Sequence, residues 1–421
     1  MKYSNCFILL LIILLSNCKK EEQLPPPPPY LSFSSLQLLW RNALCDSGDI
    51  ITSISPILNS EGDILMSDKY NYKINAELYK LYDGTTGKLK WEWHDYLKPM
   101  EYLYHISPLM INDALIFCGN QTIYAFNVLN GQTIWKQQLD TMPGNSIICK
   151  DDDGYIYHEY SIHNGGFSTY HIVRTKYDHL NWEEVFSTID SINSFANNMS
   201  ITFSKNSKGE MLMFYSKDIE IKYNLKNNRI FCYNLNSKKT EWIKDYSDRM
   251  NDNNITPTMY GNDQKIIKVW STTSSYEDYF LASINANDGS IVWEKKLPNW
   301  CRCLIYQDKI ICLGAYQNPI QCFYQSSGAD AWKATFTSDF TNLLYQNQDI
   351  PFIFKNYLFL GIGSNLLVMN LDIGNSLYYK NVALPGWTID GAVTINEKKR
   401  VIYVKDQFYL NCFKLPSEIN Y

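Results

Sequence analysis

A glycine followed four residues later by a tryptophan recurs along this chain, and that spacing constrains the fold more than any other feature. It reads "YDGTTGKLKW" (Gly87, Trp91), "FNVLNGQTIW" (Gly131, Trp135), "INANDGSIVW" (Gly289, Trp293) and "YQSSGADAW" (Gly328, Trp332). Degenerate copies place Lys238 in the glycine slot before Trp242, Gly374 before Tyr378, and Asp178 before Trp182. The aromatic positions 91, 135, 182, 242, 293, 332 and 378 are separated by 44, 47, 60, 51, 39 and 46 residues. A period of that size is the length of one four-stranded propeller blade.

The spacing has a physical cause. Before each turn lies a strand with period-2 alternation, such as Tyr124 and Phe126 against Ala125 and Asn127. The turn glycine tolerates positive φ. Four residues on, the tryptophan falls on an outer strand, where a large flat side chain can cover the neighbouring blade. Both faces of a blade are buried, so the seams need large aromatic surfaces. Upstream of each turn sit further strand–turn–strand units, among them "SPLMINDALIFCG", "FSKNSKGEMLMFY" and "FIFKNYLFLGIG".

After Tyr378 the chain has three more strands, through "TINEKKRVIYVKDQFYLNCFKL", and no outer strand to follow them. The missing strand is at the other terminus: "LQLLWRNA" carries Trp40, 51 residues before Trp91. The expected fold is therefore all-β: an eight-bladed propeller of four-stranded antiparallel blades, its last blade closed by the N-terminal strand. Seven blades is the alternative if the unit around Trp182 is not a separate blade.

The combination of a small residue, Asp or Asn, Gly and Trp resembles the PQQ-like repeat of the quinoprotein dehydrogenase-like propellers, over about residues 36–415. The layout is similar to that of the propeller lipoproteins of the outer-membrane barrel-assembly machinery. That resemblance implies a lipid anchor, no cofactor and a protein partner in the cell envelope. The enzymes of the same superfamily carry a disulfide between adjacent cysteines over the quinone, and this chain has no Cys-Cys pair; the nearest approach is Cys301-Arg302-Cys303.

Residues 1–17 read as a signal peptide of lipoprotein type. Phe7 to Leu15 is an apolar run too short to span a bilayer. It leads into "LLSNCKKEE", which resembles a lipobox, with Asn17 where Gly, Ala or Ser is usual. The resemblance implies cleavage before Cys18 and acylation of that cysteine, a stable anchor because each buried methylene contributes about 0.8 kcal/mol. Residues 18–30 are the anchor and a tether whose five consecutive prolines favour an extended strut. Residues 31–421 form the single propeller domain. The net charge of −5, without a long basic run, excludes a nucleic-acid footprint.

Of the eleven cysteines, Cys232, Cys322 and Cys412 occupy positions equivalent to Ala125 and Ser283, and read as small core residues. If Gln307-Asp308 is a two-residue turn, Cys303 faces Cys312 in a non-hydrogen-bonded pair, within the reach of a disulfide. A bridge and two reduced core thiols are both open. With Gly165-Gly166 as a turn, His158 and His171 share one hairpin face beside Tyr160, where a polar, exposed face is expected. "KDDDG" (Asp151 to Asp153) reads as turn chemistry, lacking the spaced ligands of a calcium loop. No nucleophile elbow, H-E-x-x-H or P-loop motif occurs. The expected function is non-catalytic protein binding or scaffolding on an outer membrane. The alternative is a glycan- or small-molecule-binding protein or hydrolase whose loop aromatics, in "HDYLKPMEYLYH", "STTSSYEDYF" and "LPNWCRC", stack on a ligand in the central funnel. No metal, cofactor or catalytic residue is expected.

Overall fold

The computed structural model describes residues 35–44, 56–71, 76–97, 108–118, 122–138, 148–164, 167–190, 200–222, 225–251, 259–262, 264–272, 278–298, 301–314, 320–334, 351–379, 382–383, 389, 393–406, 408–417 and 419. The segments read from sequence as signal, Cys18 anchor and proline tether lie outside the described residues.

Every regular element among the described residues is a β-strand, and the strands form eight antiparallel sheets. Strand β1 (Leu38–Ala43) comes first in the chain and is treated last, because it belongs to the final blade. Blade 1 comprises β2 (Ile57–Leu58), β3 (Ile64–Asn71), β4 (Ala76–Tyr82) and β5 (Leu89–Trp93). Blade 2 is β6 (Leu109–Ile111), β7 (Ala114–Cys118), β8 (Thr122–Asn127) and β9 (Thr133–Gln138). Blade 3 is β10 (Ile148–Lys150), β11 (Tyr155–Asn164), β12 (Phe167–Lys176) and β13 (His179–Asp190). Blade 4 is β14 (Ser200–Lys205), β15 (Met211–Lys222), β16 (Leu225–Asn234) and β17 (Lys239–Tyr246).

Blade 5 has its inner position shared by two short strands, β18 (Met250–Asn251) and β19 (Met259–Asn262), which pair with successive stretches of β20 (Lys265–Ser271). Strands β21 (Tyr279–Asn285) and β22 (Ile291–Leu297) complete it. Blade 6 is β23 (Cys301–Tyr306), β24 (Lys309–Gly314), β25 (Ile320–Tyr324) and β26 (Asp330–Ala334). Blade 7 is β27 (Phe352–Phe354), β28 (Tyr357–Ile362), β29 (Asn365–Asn370) and β30 (Ser376–Tyr379).

Blade 8 joins the two ends of the domain. Its three consecutive strands are β31 (Thr394–Asn396), β32 (Val401–Lys405) and β33 (Tyr409–Lys414), and its outer strand is β1, with Trp40 opposite Cys412. The ring is eight-bladed, the unit around Trp182 is a full blade, and the N-terminal strand closes the circle through hydrogen bonds. A closed ring leaves no blade face bare. The core is accordingly a series of seams between blades, not one central mass. Ile64, Met66 and Tyr82 of blade 1 meet Tyr403, Leu410 and Cys412 of blade 8 in one such seam.

Candidate functional site: the blade seams and their buried polar groups

The repeated tryptophans and glycines meet across the seams, each tryptophan covering the turn of the following blade. A Cβ added to Gly131 would stand 3.0 Å from Cδ2 of Trp91, and one added to Gly328 would stand 2.8 Å from Cε3 of Trp293. Both glycines have positive φ, +70° and +68°. The slot therefore demands glycine twice over, for its backbone angle and for the indole lying on it. Trp242 covers Gly289, Trp332 covers Gly374, and Trp40 covers Gly87 in the same way. The indole N–H groups reach carbonyls of the covered turn: Trp293 donates to Gln325 O at 2.9 Å, Trp332 to Leu371 O at 2.9 Å and Trp242 to Ala286 O at 3.0 Å.

Directly across the sheet from five of the tryptophans stand small residues: Ala125 opposite Trp135, Cys232 opposite Trp242, Ser283 opposite Trp293, Cys322 opposite Trp332 and Cys412 opposite Trp40, whereas Trp91 stands opposite Leu81. Three of the cysteines thus fill a packing position that alanine and serine fill elsewhere. Burial pushes the Cys322 and Cys412 thiols up to about 12, so they are poor nucleophiles.

Trp182 departs from the pattern. Lys176 pairs with His179, so Tyr177-Asp178 is a two-residue turn with no glycine slot. Trp182 turns back towards blade 2, donating to Gln137 Oε1 at 2.5 Å, and packs with Trp135 and Ile156. Lys238 holds its slot at φ 56°, with Glu183 of β13 as its neighbour there. Tyr378 lies on β30 opposite Leu367.

Most of the described aromatics are committed to seams. Between blades 1 and 2, Trp93 stacks on Phe126 with ring centroids 4.9 Å apart, and Tyr96, Tyr79, Phe117 and Tyr124 surround it. Trp270 is fully buried between blades 4 and 5 and donates to Glu294 Oε1 at 2.9 Å. Among the described residues, Tyr324 is the sole aromatic of the exposed large hydrophobic side chains, at 38% exposure.

Cys303 does face Cys312 across β23 and β24, and the two Sγ atoms are 3.0 Å apart. A third sulfur, which the sequence reading left aside, joins them. Cys301 Sγ lies 3.6 Å from Cys303 Sγ, and all three thiols are buried. The signal was available, since Cys301 and Cys303 are two apart on one strand and so share a face. Burial drives the Cys303 and Cys312 thiols well up, while hydrogen bonds from those two draw Cys301 down.

The histidine face of blade 3 is not the exposed polar surface expected from sequence. Tyr160 pairs with His171 and stacks on it at 4.8 Å, but His158 is fully buried in the seam with blade 2, beside Trp182. Among the described residues neither ring nitrogen of His158 has a hydrogen-bond partner, and burial lowers its pKa to about 4. The face is covered because Trp182 turns onto it from β13 and packs with blade 2 over His158. The carboxylate that meets His171 comes from that third strand, Glu184, at 2.6 Å.

On the opposite face, Glu159 and Lys217 are buried between blades 3 and 4. They hold equivalent places, each the first residue of its strand beyond the pairing of the inner strands β10 and β14. Burial raises Glu159 to about 8 against the opposing pull of Lys217, whose ammonium sits 3.4 Å from the centre of the Tyr170 ring. Asp151 serves its turn: its carboxylate accepts from Tyr155 N at 2.9 Å and from the Tyr157 hydroxyl at 2.7 Å.

Fold and repeat together define the class: an eight-bladed β-propeller of PQQ-like repeats, with aromatic seams. The family described as "Outer membrane protein assembly factor BamB" matches residues 32–199, which span β1 and blades 1 to 3. Among solved structures, BamB from Moraxella catarrhalis is similar at 10% identity and a TM-score of 0.52, covering 90% of this chain and 99% of its own. A quinohemoprotein alcohol dehydrogenase from Comamonas testosteroni gives a TM-score of 0.57 at 10% identity, with 90% of this chain and 76% of its own covered. Sqt1 of Saccharomyces cerevisiae gives 0.54 at 10% identity, covering 91% and 100%. No curated protein sequence matches significantly. At these identities the likenesses are of fold, and one fold hosts many functions.

Proposed function

We propose that this protein is a lipid-anchored propeller of the cell envelope that binds protein partners as a non-catalytic scaffold. The observation that carries the reading is the commitment of the described aromatic side chains to seams: among the described residues Tyr324 is the one aromatic of the exposed large hydrophobics, while Tyr102, Tyr104, Tyr276 and Trp300 of the loops named above lie outside the described residues. Sugar-binding sites present open aromatic faces to the ring of the ligand, and rings buried between blades cannot do so. The match of residues 32–199 to an outer-membrane assembly-factor family supports the same reading, as does a sequence without the adjacent cysteine pair of the quinone enzymes.

Anchoring through Cys18 and an outer-membrane location form part of the proposal, on the strength of "LLSNCKKEE" and the proline tether. Cys18→Ser should release the protein from membranes; unchanged membrane association would defeat the anchor. Mild crosslinking in intact cells, followed by pull-down through the anchored protein, tests the scaffold. Reproducible recovery of the same envelope proteins is expected. Recovery of the propeller alone, together with retention on a glycan array, would replace the scaffold with a glycan-binding protein.

A further inference from the structure

The three sulfurs of blade 6 are a chemical site that neither the fold nor the scaffold reading requires. They lie at the start of the inner hairpin β23–β24, facing blade 5, among Ile267, Val269, Leu281, Leu297, Ile310 and Phe323. Three sulfurs in one place can do one of two things: hold a soft metal ion, or close a disulfide and leave one thiol over.

Geometry decides which pair could bridge. Cys303 and Cys312 are direct cross-strand partners, and Tyr306 pairs with Lys309 at the turn. Counting back from that turn puts Cys303 and Cys312 in a non-hydrogen-bonded pair, where Cα atoms lie about 4.5 Å apart. That falls within the usual range for a disulfide, and the 3.0 Å between sulfurs needs about 1 Å of closure to reach a bond. Cys301 and Cys303 are two residues apart on one strand, so their Cα and Cβ atoms are separated by two strand rises, about 6.8 Å. Bridged Cβ atoms sit at about 4 Å, so that pair cannot close without moving the backbone.

Electrostatics separates the bridge from the metal. A cystine is neutral and suits an apolar seam. A metal held by three thiolates brings net negative charge into the same place, with a large desolvation cost. A structural zinc also takes four ligands, and the cluster among the described residues offers three.

We propose that Cys303 and Cys312 form a disulfide in the mature protein, with Cys301 held against it as a buried thiol. Two S–H bonds break and one S–S bond forms. The two protons and two electrons pass to a disulfide oxidant, a small-molecule or protein disulfide, which becomes two thiols. Oxidation precedes the packing of blade 6 on blade 5, because all three sulfurs are buried once the seam is closed and an oxidant cannot reach them there. The bond then staples the innermost hairpin of blade 6, and the seam shields it from outside reductants.

The test uses full-length protein in detergent, unfolded and refolded in mixtures of oxidised and reduced glutathione, then alkylated in denaturant. Two additional alkylated cysteines should appear after reduction, with an increase of about 2 Da in the unalkylated mass. A peptide linking Cys303 to Cys312 should be found by fragmentation. Cys301→Ala should leave that linkage in place, and Cys412→Ala, on β33 of blade 8, serves as a control elsewhere in the ring. Complete alkylation without reductant overturns the proposal. So does a linkage that includes Cys301, or a metal ion retained by the refolded protein with all three thiols reduced.

Discussion

Trp91 lies on the backbone of Gly131, with Cδ2 3.0 Å from the place a Cβ would occupy. The recurring spacing in the sequence is thus an inter-blade contact. The tryptophan four residues after one glycine covers the glycine of the next unit, not its own. Fixed spacing within a unit and fixed rotation between units keep these partners in step.

That arrangement makes the cost of filling the slot measurable. Gly328→Ala meets both the positive φ and the Trp293 ring, and should cost about 2–4 kcal/mol. Gly209 also has positive φ, +79°, but nothing among the described residues lies within 4 Å of its would-be Cβ. Gly209→Ala should therefore cost only the backbone term, about 1–2 kcal/mol. Urea unfolding of the two variants compares them directly, and equal losses would refute the role given to the indole.

Lys238 supplies the converse. It occupies the slot at φ 56°, and its side chain only approaches Glu183, at 3.9 Å. An exposed pair at that distance contributes little. Lys238→Gly should stabilise the protein by about 0.5–1 kcal/mol, the backbone relief less the greater freedom of glycine in the unfolded chain. A raised urea midpoint at constant slope is the expected result.

Ring closure depends on the same contact between Trp40 and Gly87. Trp40→Ala should cost about 2–4 kcal/mol, below the loss for a fully buried tryptophan because Trp40 is half-buried. Gly87→Ala should be costly in the parent and cheaper once Trp40 is gone, since the clashing ring is absent. A double-mutant cycle reads this coupling, and strictly additive losses would show that the two residues do not meet. Ile243→Ala, on an exposed outer-strand side chain, should stay within about 0.5 kcal/mol of the parent.

The sequence carried the architecture because each blade repeats one local solution. Turn residues fix the hairpin registers, which is why the pairings of Cys303 with Cys312 and Tyr160 with His171 were legible. Contacts between blades were less so, since they depend on relative height. Nothing local to His158 says that Trp182 and blade 2 will bury it. Nothing near Glu159 says that Lys217, 58 residues later, will stand beside it. The split of the inner position of blade 5 between β18 and β19 was likewise invisible, because either piece alone reads as an ordinary short strand.

The two buried groups of blade 3 oppose one another as pH changes. Burial raises Glu159 from 4.5 to about 8, with Lys217 pulling the other way, and lowers His158 from 6.5 to about 4. Between pH 4.5 and 8 the folded state keeps a proton on Glu159 that the unfolded chain has lost, so this term makes stability fall as pH rises. Between pH 4 and 6.5 the unfolded chain protonates the histidine and the folded state does not, so that term makes stability rise with pH. Each slope is at most about 1.4 kcal/mol per pH unit. Asp83 and Asp95, whose pKa values hydrogen bonds hold below 3.8, act at lower pH. With Cys303 and Cys312 bridged neither donates to Cys301, so the oxidised parent should be nearly flat from pH 4.5 to 6.5 and lose stability from 6.5 to 8. Glu159→Gln should abolish the loss above 6.5 and uncover a rise below it. His158→Gln should leave a continuous fall from 4.5 to 8. Urea titrations at half-unit intervals give the slopes; a parent that gains stability between pH 6.5 and 8 would mean that Glu159 is ionised in the fold, held by Lys217.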